Sequence, residues 1–240
     1  MMELSTTQQK VLDIYHNEGH VKACNYWKLM GNTYGIFLGE VPSNEFIDGE
    51  SLANHIDLSE GVLCNVDTPW LKFILDGNIV YVPMKPLMHS VSHEAINVCG
   101  AVFENEGATI NIGNHTYDIT LLRGLNKNYN PNKDYYGFDD VNTHSSEWNR
   151  LMYPIHSGVH TDSDNPIIGS VPYGLWASYS DSGLLVDYKC GDGSGTWSQE
   201  VIDDEFRPVR GYVGVAHVDS VSATSTTSHL GWRPALRLSV

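Results

Sequence analysis

The sequence predicts an α+β fold in which β-hairpins dominate and helices are short. Two turn-centred pairs of apolar runs and an alternating final strand carry that prediction. Trp70-Leu71-Lys72-Phe73-Ile74-Leu75 and Asn78-Ile79-Val80-Tyr81-Val82 flank Asp76-Gly77, a dipeptide that supplies the positive φ angles of a two-residue hairpin turn. Ala108-Thr109-Ile110-Asn111-Ile112 and Thr116-Tyr117-Asp118-Ile119-Thr120-Leu121-Leu122 flank Gly113-Asn114 in the same way. At the end, Ala235-Leu236-Arg237-Leu238 puts Leu236 and Leu238 on one face and Arg237 on the other, the period of a half-buried strand. The 6 Trp, 13 Tyr and 22 Gly among 240 residues suit a turn-rich β fold better than a helical bundle.

Taken in order, Ser5-Thr6-Thr7 cap a helix from Gln8 to Tyr15, with Val11, Leu12, Ile14 and Tyr15 on one face. Residues 23–39 are aromatic and punctuated by glycine, the pattern of short strands and turns, and residues 40–66 read as acidic and irregular. The expected division is an N-terminal attachment segment with one helix, residues 1–65, and a main domain, residues 66–240. Within that domain, Pro83-Met84-Lys85-Pro86 ends the first hairpin, and Ser92 caps a short helix with Gly100 past its end. Residues 125–144 form a polar loop, after which Ser145 and Ser146 cap an amphipathic helix over Glu147–Tyr153 that Pro154 closes. Leu175–Ser180, Gly195–Glu200 and Val209–Val213 read as short strands, and Asp219–Thr227 as a polar loop.

Composition excludes several function classes. The chain has 29 acidic and 14 basic residues, a net charge of −15, and no basic stripe of the kind that releases counterions from nucleic acid. An acidic surface of this size favours solubility and points to a basic partner surface or bound cations. Cys24, Cys64, Cys99 and Cys190 form no CxxC pair, and the start lacks the basic and apolar regions of a signal peptide. Free buried thiols in a protein made in a cytoplasm are the plain expectation. No apolar run is long enough to span a membrane.

A series of short motifs in one order carries a resemblance. It runs through Trp70-Leu71-Lys72-Phe73, Val82-Pro83-Met84-Lys85-Pro86, Gly100-Ala101-Val102-Phe103, Leu121-Leu122-Arg123-Gly124 and Glu147-Trp148-Asn149-Arg150-Leu151-Met152-Tyr153. It continues through Trp176-Ala177-Ser178-Tyr179-Ser180, Trp197-Ser198-Gln199-Glu200, Arg210-Gly211 and Gly231-Trp232-Arg233-Pro234-Ala235-Leu236. Over residues 66–240 the chain resembles a family of tailed-bacteriophage virion structural proteins, and its ending is similar to the closing strand of C-type-lectin-like and formylglycine-generating-enzyme-like domains. The resemblance implies a lectin-like C-terminal domain whose loops bind while its core stays rigid. It implies a location on the virion, in a tail fibre, baseplate or head decoration, and a homo-oligomer there. The implied partners are other virion proteins, through the N-terminal segment, and a host-surface glycan or protein. The family brings no catalytic residues with it. The formylglycine-generating activity needs two active cysteines near the C-terminus, where this chain has only Cys190.

Candidate sites are weighed against plainer readings. His156-x-x-x-His160 with Asp162, Asp164 and Asn165 is the densest ligand cluster; its oxygens suit calcium and its imidazoles a transition metal, but a solvated loop is the plainer reading. With that exception no cofactor is expected. Asp139-Asp140 and Asp203-Asp204-Glu205 read as solvated turns, and Asp192-Gly193-Ser194-Gly195 as a turn without the Lys-Ser/Thr of a phosphate loop. Trp148, Trp176, Tyr179, Trp197 and Trp232 have faces that suit sugar rings, yet Trp148 and Trp232 are expected in the core. Arg233 is available to pair with an acid such as Glu147. Tyr129, Tyr135, Tyr136 and Tyr173 are the better candidates for ligand contact, in loops 125–144, 156–174 and 215–229 expected to face solvent. The expected function is that of a non-enzymatic virion component. The alternatives are a glycan hydrolase with paired carboxylates and a decoration protein without a ligand.

Overall fold

The structure, a computed structural model, describes residues 35–104, 107–125, 146–158, 174, 176–186 and 193–239. In chain order the elements are β1 (Ile36–Val41), α1 (Gly49–His55), β2 (Val62–Leu63), β3 (Trp70–Leu75), β4 (Asn78–Pro83), β5 (Met88–His89), α2 (His93–Val98), β6 (Thr109–Ile112) and β7 (His115–Thr120). There follow α3 (Glu147–Met152), α4 (Asp181–Leu184), β8 (Gly195–Trp197), β9 (Phe206–Arg210), β10 (Val218–Ser222), β11 (Leu230–Trp232) and β12 (Ala235–Leu238). The fold is mixed α+β and mostly β, with few and short helices.

The strands form two six-stranded sheets, one in the order β1-β3-β4-β12-β7-β6 and the other β10-β9-β8-β11-β5-β2. Both predicted hairpins are present. Asp76 and Gly77, at φ 51° and 84°, make the tight turn between β3 and β4, and Gly113 at φ 60° turns β6 into β7. Helix α2 is capped by the Ser92 hydroxyl, which accepts from Ala95 N at 3.1 Å.

The terminal motif joins the two sheets. β11 pairs in parallel with β8 and antiparallel with β5, while β12 lies between β4 and β7 at the centre of the other sheet. Arg233-Pro234 is the crossing point. Gly231 is required there because a Cβ would sit 2.5 Å from the Gly193 carbonyl oxygen. β12 is buried on both faces, with Arg237 inside as well, instead of half-buried. Alternation misled at this point because Arg237 is held by acids and does not reach out to solvent.

The sheet centred on β12 therefore has two packed faces. Trp70, Ile79, Tyr81, Ile119 and Leu236 face a core shared with α1, α2 and the second sheet. Leu71, Phe73, Val80 and Val82 face a core shared with α3 and α4.

Several expectations are corrected. The stretch 40–66 contains α1, whose N-cap Asp48 accepts from Ser51 N at 2.8 Å, and which buries Leu52 and Ala53. The boundary expected at residue 65 falls inside one folded unit, because β1 pairs with β3 and β2 with β5. Helix α3 turns its apolar side, Trp148, Leu151 and Met152, to the core as expected, but its polar side is buried too instead of facing solvent. The expected strand 175–180 is a single bridge between Tyr179 and His156, followed by α4. The expected loop 215–229 contains β10, paired along its length with β9, and buries Val215 and Ala216. The predicted N-terminal helix lies outside the described residues.

Candidate functional site

Helix α3 starts where Ser146 caps it: the hydroxyl accepts from Asn149 N at 3.2 Å and donates to Gly124 O at 3.1 Å. Six residues long and wholly buried, α3 must satisfy each polar side chain from within the protein. Glu147 Oε1 accepts from Arg123 Nη2 at 3.1 Å, and Oε2 accepts from Arg123 N at 3.0 Å and Arg237 Nη2 at 2.6 Å. Arg150 forks onto the Asp76 carboxylate in the β3–β4 turn, one arm at 2.7 Å. Asn149 Oδ1 accepts from Arg210 Nη2 at 2.6 Å; the same nitrogen donates to the Tyr153 hydroxyl at 3.0 Å, and Arg210 Nη1 to Gly124 O at 3.0 Å.

Trp148 stands at the middle of this network. Its indole N–H donates to Val215 O at 2.7 Å, and the guanidinium carbons of Arg233 and Arg210 lie 5.4 and 5.9 Å from its ring centroid. Arg233 Nη2 donates to Met84 O at 3.0 Å and also to Leu184 O. Burial lowers the Arg233 pKa to about 9. Burial also pushes the Glu200 carboxyl up, against the pull of the Gly124 and Leu125 N–H groups that it accepts from at 3.0 Å each. The Tyr153 hydroxyl is raised by burial in spite of Arg210.

The described ends of three segments are fastened around this network. Gly124 and Leu125 bind Glu200 while Ser146 bonds back to Gly124, which holds together the two ends of segment 126–145. Trp176 N donates to Pro154 O at 2.9 Å, Tyr179 N to Ile155 O at 2.8 Å and Ser157 N to Tyr179 O at 2.8 Å, which does the same for segment 159–173. A Cβ on Gly211 would stand 2.9 Å from Leu185 and 3.3 Å from the Ser194 carbonyl oxygen, beside Trp148, so the described residues flanking segment 187–192 come together there.

Chemically the network is a scaffold. Each carboxylate oxygen of Glu147 and Glu200 is committed to an arginine or a backbone N–H. His156 is similarly engaged: Nδ1 accepts from Gly158 N at 3.0 Å, and Nε2 faces Asp181 Oδ1 at 3.1 Å. Asp181 Oδ1 in turn accepts from Val215 N at 2.8 Å, so this pair ties α4 to the chain around it.

Of the residues singled out from sequence, Trp148, Trp232 and Arg233 are fully buried. Arg233 does not pair with Glu147 as expected; Arg123 and Arg237 do, because Arg233 points from the sheet crossing toward main-chain carbonyls. Tyr129, Tyr135, Tyr136 and Tyr173, together with His160, Asp162, Asp164 and Asn165, lie outside the described residues. Among the described residues there is no group of three side chains able to hold a metal ion. Tyr179 donates to Glu40 Oε1 at 2.5 Å, and Trp197 donates to Val91 O at 2.7 Å from inside the core. Asp203 is a turn residue, accepting from Glu205 N and Phe206 N.

Sequence reasoning missed Asn149, Arg150, Arg210, Arg237 and Glu200. A signal was present for Arg210 and Arg237, since each is a cation set inside an apolar strand pattern. No family model, curated protein or solved structure matches this chain.

Proposed function

We propose that the chain is a non-enzymatic structural component of a tailed-bacteriophage virion, in a tail fibre, baseplate or head decoration. In this reading a C-type-lectin-like fold holds loops against a host-surface glycan or protein, and copies repeat by symmetry on the particle. The observation that carries it is the fastening of three segment ends on the buried Trp148 network. That is how a rigid core supports variable binding loops. The terminal Gly231-Trp232-Arg233-Pro234, joining both sheets at their middle, supports the lectin-like part. The committed oxygens of Glu147 and Glu200 support binding over hydrolysis, which needs two acids open to a cleft. The N-terminal segment is assigned to contacts with neighbouring virion subunits.

The test has two arms. Antibody against the full chain should label purified particles at a symmetric position, and unlabelled particles would sink the virion assignment. The full chain should bind host lipopolysaccharide, capsule or envelope protein in an array. Tyr135→Ala and Tyr136→Ala should weaken that binding at least tenfold with an unchanged melting temperature. A blank array on labelled particles would leave a decoration protein without a ligand.

A further inference from the structure

The buried arginines divide into two kinds. Arg237 pairs with Glu147 and Glu104, and Arg150 with Asp76. Arg210 and Arg233, 3% and 0% exposed, have no carboxylate at ion-pair distance among the described residues. Arg233 Nε and Nη1 and Arg210 Nε lack any hydrogen-bond partner there, as do the buried hydroxyls of Ser194 and Thr196.

These residues sit on or next to neighbouring strands around Trp148. Thr196 is the cross-strand partner of Arg210, and directly opposed residues share a face of the sheet. The opposite face is the one where a Cβ on Gly195 would meet Val209 and Leu230, so Thr196 and Arg210 face the α3 side. Ser194 precedes Thr196 by two residues, and its carbonyl packs against Gly211 next to the Trp148 ring. Both guanidinium groups lie over that same ring.

We propose that Arg210, Arg233, Ser194 and Thr196 form a buried site for one small inorganic anion beside Trp148. A buried charge is costly unless it is paired, and a buried N–H is costly unless it donates. One anion meets both demands at once, whereas water satisfies donors but leaves two cations uncompensated. Arginine suits the role because its planar group offers several donors and stays charged. The depressed Arg233 pKa has burial as its only cause, consistent with a missing counter-charge. The anion would brace the layer on which the segment ends are fastened, whatever those segments bind.

The experiment is a series of thermal melts of the full chain, with chloride, bromide or inorganic phosphate replacing gluconate at constant ionic strength. The melting temperature should rise by several degrees and saturate for at least one small anion. Thr196→Val, which removes a donor at nearly constant volume, should raise the half-saturating concentration roughly tenfold. Arg233→Met should abolish the response; should that variant fail to fold, Ser194→Ala with Thr196→Val takes its place. A crystal soaked in bromide should show an anomalous peak within hydrogen-bond reach of Arg233. Identical melts in all anions would overturn the proposal. A rise that survives both Thr196→Val and its companion variants, a bromide peak only on the surface, or ordered water alone in the space would do the same.

Discussion

Trp148 and Trp232 are both fully buried, yet they serve opposite kinds of interior. Trp232 lies among Trp70, Leu87, Trp197, Leu230 and Leu236, and its indole N–H has no hydrogen-bond partner among the described residues. Trp148 shares its surroundings with Leu71, Leu151 and Leu184, but also with Arg210 and Arg233, and its N–H is bonded to Val215 O. The first interior is held by area and shape. The second is held by directed bonds that tolerate only one arrangement of their donors and acceptors. The segment ends are fastened on the second side, where positions are set most narrowly.

Alanine at either tryptophan should give the largest loss, about 3–5 kcal/mol from lost burial and the cavity left behind. Trp148→Ala should sit at or above the top of that span, since it also strips two buried guanidinium groups of their covering ring. Phenylalanine separates the two interiors more cleanly. Trp232→Phe removes an N–H that has no partner among the described residues, whereas Trp148→Phe orphans Val215 O and should cost about 1–3 kcal/mol more. Urea unfolding of the four variants measures this, and equal losses for the two phenylalanine variants would erase the contrast.

Glu147 tests the polar interior directly. Glu147→Ala leaves Arg237 Nη2 and the Arg123 backbone N–H without their acceptor while Arg237 Nε keeps Glu104, so the cost should be about 3 kcal/mol. Glu147→Gln keeps the shape and accepts one bond, so it should lose less. If the alanine variant unfolds at the same urea concentration as the parent, the network is not holding α3.

The two interiors were also unequally legible in the sequence. Asp76-Gly77, Ser92 and Ser146 announce a turn and two helix starts within a few residues, and each is found in place. Helix α1 was hidden because its Asp48 cap lies in a stretch that reads as merely acidic. The polar network was not legible, because it depends on distant pairs: Arg210 meets Asn149 across 61 positions and Arg237 meets Glu147 across 90. A local pattern can show that Arg237 interrupts an apolar strand, but not which acid the fold brings to it. The tyrosines chosen for ligand contact, and the acids chosen for a cation, lie outside the described residues, so their roles stand as proposals from sequence.

His93 gives the clearest sign. It is the first residue of α2, 3% exposed, with its ring edge-on to Trp197 at 5.8 Å between centroids. Burial, with the Arg207 charge second, lowers its pKa from 6.5 to about 4. The unfolded ring takes up a proton below about pH 6.5 and the folded ring only below about 4, so across that window acid favours unfolding. Stability should be full above pH 6.5 and fall by roughly 3 kcal/mol on the way to pH 4, at about 1.4 kcal/mol per unit of pKa difference. His93→Gln should flatten that part of the stability–pH curve at some cost at neutral pH. A variant curve parallel to the parent between those pH values would show that other groups carry the acid sensitivity, and that the apolar interior contains no titrating weak point.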